Sequence, residues 1–439
     1  MTAPALILAA PMTGSGKTVA MLGLLGALRR RGLEVASFKV GPDFLDPAFH
    51  AAITGRPSLN LDSWAMRFST LVGLLEQASQ GADLLLGEGM MGLADGAPDG
   101  SGTTGDLAAL LDLPVLFVVD CAKLGGSVAP LVEGFLRWRE EVEICGLLLD
   151  RVAGEEHAAL LIEACEARFS TRILGWLPED PRLELPSRHL GLVQPEELSD
   201  LAAMLEHAAD LVGERVDLDR LLRLARPPSV TTLERGARPI PPLGQRIAVA
   251  RDVAFAFAYP ATLEGWRAAG AELLFFSPLA DEPPDPRADA VYLPGGYPEL
   301  HAARLGAGEH WRAGLAAAAA RGAFVYGECG GYMALGETLV DSEGRAHPMA
   351  GLLPLVTSLA DPAPRIGWRR VQLAAAGPLG PEAARYRGHE FHLAREIRRD
   401  GPAFAETADA RGRALGATGC RIGNVAGSFV HLIDREERG

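Results

Sequence analysis

Lysine is nearly missing from this chain. Its 439 residues include three, Lys17, Lys39 and Lys123, against 39 arginines. Arginine therefore carries the generic basic surface, and a retained lysine marks a place where a compact ammonium is needed. Lys17 and Lys39 fall in motifs; Lys123 does not. Positive charge is short overall, with a net charge of −14. That excludes nucleic acid and anionic membrane as general partners, and any anionic substrate must be met by local cations. The five cysteines show no C-x-x-C spacing. A scattered, odd set suits a reducing compartment rather than a disulfide framework. There is no apolar run of about 18 residues, which excludes a membrane-spanning helix. The apolar stretch from Pro4 to Met12 lacks a basic region before it and reads as a strand, not a leader. The cytoplasm is the expected location. Internal repeats are also absent.

A chain of this length holds two or three domains with their own cores. A hydrophobic content of 48% and a charged content of 22% suit a soluble enzyme. The one clear linker lies at 226–245, marked by Pro227, Pro228, Pro239, Pro241 and Pro242. It predicts domains over 1–225 and 246–439.

The first half begins with an apolar strand, Ala5 to Ala10. Pro11-Met-Thr-Gly14-Ser15-Gly16-Lys17-Thr18 follows, then a helix from Val19 to Arg30. Strand, Gly-rich loop, Lys-Thr and helix are the parts of a phosphate-binding loop, here a variant with Pro11 in place of the first glycine. Backbone N–H groups of Gly14, Ser15 and Gly16 hold phosphates, Lys17 reaches the terminal one, and the Thr18 hydroxyl goes to Mg²⁺. A second strand (Glu34 to Phe38) delivers Lys39, Asp43 and Asp46. A third (Asp83 to Gly87) delivers Glu88 and Asp95. Open α/β sheets bind ligands at such strand ends. Asp43 and Glu88 complete a hard-oxygen Mg²⁺ shell with Thr18. Lys39, Asp46 and Asp95 are candidates for substrate or phosphate, turn capping being the plainer role for the two aspartates. Further strands at Val115 to Val119, Ile144 to Leu149 and Ile173 to Leu177, separated by helices, predict a mostly parallel, doubly wound sheet. Asp120 reads as a Walker-B-like carboxylate or a plain strand-end aspartate, the latter slightly favoured.

A second strand series begins at Arg246 and leads to Ala323–Tyr326, followed by Gly327-Glu-Cys329-Gly-Gly331. A nucleophile on a tight strand-to-helix turn is exposed at the sheet's carboxyl end. The helix behind it favours the thiolate. His431, after an apolar pair, is the candidate base. Gly295 and Gly296, in Leu293-Pro-Gly-Gly-Tyr-Pro-Glu299, offer oxyanion donors. Gly330 and Phe429 join them as oxyanion or glutamine contacts. This order of parts resembles class I glutamine amidotransferases. Gly388-His-Glu-Phe-His392 fits no zinc spacing and reads as packing or substrate contact.

A thiolate glutaminase liberates ammonia, and an ATP site beside carboxylates activates an acid. The joint function is ATP-dependent amidation through an acyl phosphate. The motifs above, with His50, Asn60-Leu-Asp62, Glu88-Gly-Met-Met-Gly-Leu-Ala-Asp95-Gly96 and Arg188-His-Leu-Gly-Leu192, run almost the full length. In this the chain resembles the CobB/CbiA family, the a,c-diamide synthases of corrin biosynthesis. The resemblance implies a dethiobiotin-synthetase-like P-loop domain followed by a class I glutaminase domain. It also implies ATP, Mg²⁺, glutamine and a corrin, hydrogenobyrinate or cobyrinate, amidated at its a and c acetates. It implies that Asp43, Asp46, Glu88 and Asp95 serve the nucleotide, metal and corrin site, with Cys329 and His431 as the glutaminase pair. Assembly as a homodimer is left open. Two departures stand out. His431-Leu-Ile-Asp434 replaces His-x-Glu, leaving the third triad member unassigned. Asp150-Arg151 replaces the Asn-Arg or Asn-Lys that reads adenine. The alternatives are a nickel-sirohydrochlorin or other tetrapyrrole amidase, a cobyric acid synthase, and a non-catalytic P-loop switch.

Overall fold

The computed structural model describes residues 2–188, 191–230 and 239–436. His189 and Leu190 of the Arg188–Leu192 motif, and 231–238 of the linker, lie outside them. The described chain forms two compact units.

The first unit is built on seven strands: β1 (Ala5–Ala9), β2 (Val35–Val40), β3 (Leu59–Leu61), β4 (Leu84–Glu88), β5 (Val115–Asp120), β6 (Ile144–Val152) and β7 (Arg172–Pro178). Their order is β3-β2-β4-β1-β5-β6-β7, and every pairing is parallel. Ala-Leu-Ile-Leu-Ala in β1 is buried at every position, as a central strand covered on both faces must be. Helix α1 (Lys17–Arg30) lays Leu22, Leu25 and Leu28 into a core with Leu6, Leu8, Leu86 and Val118. The short β3 is additional to the strands expected, so the Asp83–Gly87 run is the fourth strand rather than the third. Lys39 and Glu88 also lie within β2 and β4, not just beyond them. A two-stranded ribbon, β8 (Ser187–Arg188) and β9 (Gly191–Leu192), follows.

The second unit opens with β10 (Arg246–Ala250), β11 (Glu272–Phe276), β12 (Ala290–Leu293) and β13 (Phe324–Glu328). Sequence alternation then gives way to mostly antiparallel strands that were not expected: β14 (Thr338–Val340), β15 (Ala346–Pro348), β16 (Leu355–Ser358), β17 (Arg365–Leu373), β18 (Arg385–His392), β19 (Arg395–Arg399), β20 (Ala405–Ala408), β21 (Ala414–Thr418), β22 (Cys420–Ile422), β23 (Val425–Ser428) and β24 (Val430–Arg435). One sheet runs β11-β10-β12-β13-β23-β22, and a second runs β21-β20-β17-β18-β24. Phe429 is the corner between them. It carries the chain from β23, parallel to β13, into β24, antiparallel to β18. Leu432, Val430, Tyr326 and Tyr292 share the apolar layer between these sheets. Gly-His-Glu-Phe-His is thus the end of strand β18.

Residues Ala65–Thr70 cluster with this second unit although the chain on either side belongs to the first. Their anchor is Arg67. Its guanidinium and backbone N–H both donate to Asp434, a carboxylate with no exposed surface, at 2.9–3.2 Å. Arg67→Met leaves a buried carboxylate without its cation. It is expected to cost about 3 kcal/mol, seen as a lower denaturant midpoint. Adding Asp434→Asn to that variant should recover much of the loss.

Candidate active sites

In the first unit the loop after β1 turns through Gly14 and Gly16, both at left-handed φ. A Cβ at Gly16 would lie 1.8 Å from an oxygen of Asp150, so only glycine fits there. Lys17 is buried, and its Nζ donates to the carbonyls of Met91 (2.6 Å) and Met12 (3.3 Å). Burial, then repulsion from Lys39, brings its pKa down to about 8. Thr18 lies in the first turn of α1, and its hydroxyl donates to Glu88 at 2.7 Å, with Asp46 at 3.4 Å.

Strand β2 brings Lys39 alongside. Its Nζ sits 2.5 Å from Asp46, 3.1 Å from Glu88 and 3.2 Å from the Gly89 carbonyl, with almost no exposed surface. Glu88 also bonds His50 Nε2 at 2.7 Å, and His50 Nδ1 meets Ser58 at 3.2 Å. Burial by itself would raise the Glu88 carboxyl; Lys39, His50 and Thr18 outweigh it and hold it well below the usual range. Burial would likewise lower Lys39, but Asp46 and Glu88 keep it firmly protonated. Asp46 goes the other way. Burial, then the Asp43 and Glu88 carboxylates, push its carboxyl up, against the pull of Lys39. Thr18, Asp46 and Glu88 are hard-oxygen donors within reach of one another. That donor set fits a divalent cation that keeps phosphate and water among its ligands. No closed group of three or more His, Cys, Asp or Glu ligands occurs among the described residues.

Asp43 lies beside this cluster and accepts the Leu45 N–H at 2.9 Å. Asp95 closes a turn, accepting the Gly92 N–H at 2.9 Å, and its charge also reaches Lys17. Asp120 accepts both arms of Arg151, whose guanidinium also donates to the Gly14 carbonyl at 2.9 Å. Asp120 is therefore the partner of Arg151 rather than part of the Lys39 cluster.

In the second unit Cys329 sits between β13 and the helix Gly330–Leu335, at φ 50°, ψ −111°. A side chain there is strained, as at a nucleophile elbow. The crowding explains the glycines. A Cβ at Gly331 would come 1.9 Å from the Leu293 carbonyl, and one at Gly327 2.7 Å from Gly331. The Cys329 N–H donates to Ser428 at 2.9 Å, tying the elbow to β23. A Cβ on Gly295 would lie 3.1 Å from Nε2 of His431 and 3.2 Å from Cβ of Cys329, so both residues border that glycine, while the Cys329 thiol lies 3.9 Å from the Phe391 carbonyl. Gly296 places its nitrogen against Gly330, 3.1 Å from where a Cβ would stand. Phe429 stacks on His392 at 3.7 Å and meets Tyr332 edge-on; its ring belongs to the core.

The expected thiolate is not the resting form. Burial, then Glu299, pushes the thiol far up despite the Gly330 N–H. Burial, then His389 and His392, brings His431 down to about 3. Desolvation outweighs the short helix, and the resting pair is thiol and neutral imidazole. Glu390 bonds Arg369 at 2.6 Å and His392 at 2.8 Å, so the polar end of β18 is internally satisfied. His50 entered the sequence reading only through the resemblance, and Glu328, beside Cys329, was not among its candidates. Alternation along β13 puts Glu328 on the same face as Phe324 and Tyr326, which was a readable sign that it points inward.

A phosphate loop in a parallel sheet and a thiol–imidazole pair at a strained elbow define a glutamine amidotransferase fused to a nucleotide-binding domain. Residues 6–193 match the CobQ/CobB/MinD/ParA nucleotide binding domain, and 246–438 the CobB/CobQ-like glutamine amidotransferase domain. The chain belongs to the CobB/CbiA family. It is 51% identical to a hydrogenobyrinate a,c-diamide synthase of Rhizobium meliloti (strain 1021), over 98% of this chain and 99% of that one. It is 51% identical to the protein so named in Brucella abortus, covering 98% of each. The Rhodobacter capsulatus relative of that name is 50% identical, again over 98% of each. No helix among the described residues is long and apolar enough to cross a membrane.

Lys39→Arg keeps the charge but forces a forked guanidinium into the space between Asp46 and Glu88. Nucleotide turnover is expected to fall by about 10-fold or more, from overpacking of about 1–3 kcal/mol. A steady-state ATPase assay checks it.

Proposed function

We propose that the chain amidates the a and c acetate carboxylates of hydrogenobyrinate, using ATP and glutamine. The observation carrying this reading is the pairing, in one chain, of the Thr18–Lys39–Asp46–Glu88 cluster with the Cys329–His431 pair; the relatives' names supply the substrate. On this reading residues up to 225 form the amidoligase domain and 246–439 the glutaminase domain.

In the glutaminase, glutamine displaces water and His431 Nε2 takes the Cys329 proton. The sulfur attacks the side-chain carboxamide carbon, with N–H groups of Gly296 and Gly330 facing the developing oxyanion. The C–N bond breaks, ammonia leaves with the proton from His431, and water hydrolyses the thioester to glutamate. Because thiol and imidazole rest uncharged, proton transfer is coupled to attack, which protects the thiol from idle chemistry.

In the ligase, backbone N–H groups from Gly14 to Lys17 cradle ATP phosphates, and Lys17 exchanges its carbonyl partners for phosphate oxygen. Mg²⁺, held by Thr18, Asp46 and Glu88 with Asp43 alongside, would neutralise phosphate charge. Lys39 pairs with the substrate carboxylate or the transferred phosphoryl, and His50 fixes Glu88. The acetate oxygen attacks the γ-phosphorus, ADP leaves, and ammonia displaces phosphate from the acyl phosphate. Asp95 holds the loop shape beneath Lys17.

Two experiments test this. Mass spectrometry after incubation with glutamine, Mg²⁺–ATP and hydrogenobyrinate or cobyrinate counts each replacement of OH by NH₂. Two additions, faster on hydrogenobyrinate, are expected; none on either would refute the substrate assignment. Cys329→Ala should lose glutamine-driven amidation by more than about 10³-fold while ammonia still drives it. Loss of both would reject the division of labour.

A further inference from the structure

Glu328 is buried directly before the nucleophile, and its carboxylate is held by three donors. Tyr292 donates to Oε2 at 2.8 Å, Tyr326 to Oε1 at 3.0 Å, and the Leu432 N–H to Oε1 at 3.1 Å. The tyrosine rings stack on each other, and Trp266 abuts Tyr292 edge-on, so the cradle is rigid. Two of the carboxylate's links run to the histidine. Leu432 is the residue after His431, and Oε2 stands 3.8 Å from His431 Nδ1. The sequence alternative, Asp434, is taken up by Arg67. A Cβ on Gly388 would sit 2.3 Å from the His431 carbonyl, so β18 and β24 lie close together at the histidine.

We infer that Glu328 is the positioning residue of His431, filling the third role of the glutaminase triad from the position before the cysteine. The inference rests on the Cys329–His431 reading. Facing Nδ1, the carboxylate favours the tautomer with its proton there, leaving Nε2 free to accept the thiol proton. When Nε2 gains it, the imidazolium carries a positive Nδ1–H beside Oε2, and a shift of under about 1 Å makes an ion-paired hydrogen bond. The proton then passes from Nε2 to the leaving ammonia; Glu328 gains and loses none. Burial raises the Glu328 carboxyl to about 7, against the pull of its donors. An adjacent imidazolium offsets part of that penalty, so the contact between the carboxylate and His431 strengthens as the proton moves. This is the direction that favours the transition state.

The test is Glu328→Gln, which keeps shape and removes charge. The expected result is a fall in kcat for glutamine hydrolysis of 10-fold or more, on the order of 100-fold, with KM changed by less than about 3-fold. A smaller fall, or one carried in KM, overturns the inference, since a role in packing alone does not single out kcat. Ammonia-driven amidation in the same preparation reports folding. If Glu328→Gln does not fold, ¹⁵N-histidine NMR of the unaltered protein decides, with His431 assigned from His431→Gln. A proton on Nδ1 supports the inference, and a proton on Nε2 overturns it. Should Cys329→Ala or His431→Gln still hydrolyse glutamine, the dyad reading itself fails. Their loss beside a normal Glu328→Gln sinks only this inference.

Discussion

An ammonium ion almost sealed from water, between two carboxylates, organises the nucleotide-binding unit. Lys39 can stay charged there only because Asp46 and Glu88 lie within 3.1 Å. Glu88 stays ionised because His50 and Thr18 share the load. Each group is tolerable only with the others in place, so the constellation forms as a unit. Three elements therefore have fixed positions: β2 for Lys39, the helix Leu45–Thr54 for Asp46 and His50, and β4 for Glu88. The phosphate loop gains its acidic wall from that constraint, since Thr18 bonds into the same network. The arrangement also gathers oxygen donors beside the phosphate loop, as a cation accompanying phosphate requires.

The glutaminase unit follows the same rule with a different outcome. Cys329 and His431 are each buried deeply enough to rest neutral. A helix of six residues cannot overcome desolvation, so the reactive state must be made on demand by glutamine. Glycine supplies the geometry. Gly295, Gly327 and Gly331 stand where backbone, imidazole and neighbouring side chains approach more closely than a further side chain allows. The strained backbone at Cys329 persists because β13, β12 and β23 fix both sides of it.

Two buried carboxylates near His431 divide the work. Asp434 is tied to Arg67 and secures the Ala65–Thr70 segment within this unit. Glu328 keeps its donors within the apolar layer between the two sheets. Both are costly to bury, and both have full complements of donors, which is why neither is a surface ornament.

What the sequence determined by itself is the part written in local pattern. Continuous apolar runs such as Ala5–Ala9 specify strands buried on both faces. Gly-Ser-Gly-Lys-Thr and Gly-Glu-Cys-Gly-Gly specify turns that only small residues and these side chains can make. Both read correctly from a few adjacent positions, because steric and hydrogen-bond demands there are local. The short β3 and the antiparallel strands from Thr338 onward were not legible, since brief, half-exposed strands leave weak alternation. Nor was the resting charge of Cys329, because burial is a property of the whole surround. The partner of His431 was also hidden. Asp434 has the nearer spacing to histidine, and Glu328 lies 103 positions before it. Only the tertiary structure brings Glu328 to Nδ1 and draws Asp434 away to Arg67. Contacts between residues so far apart depend on how sheets pack, and chain spacing holds no record of that.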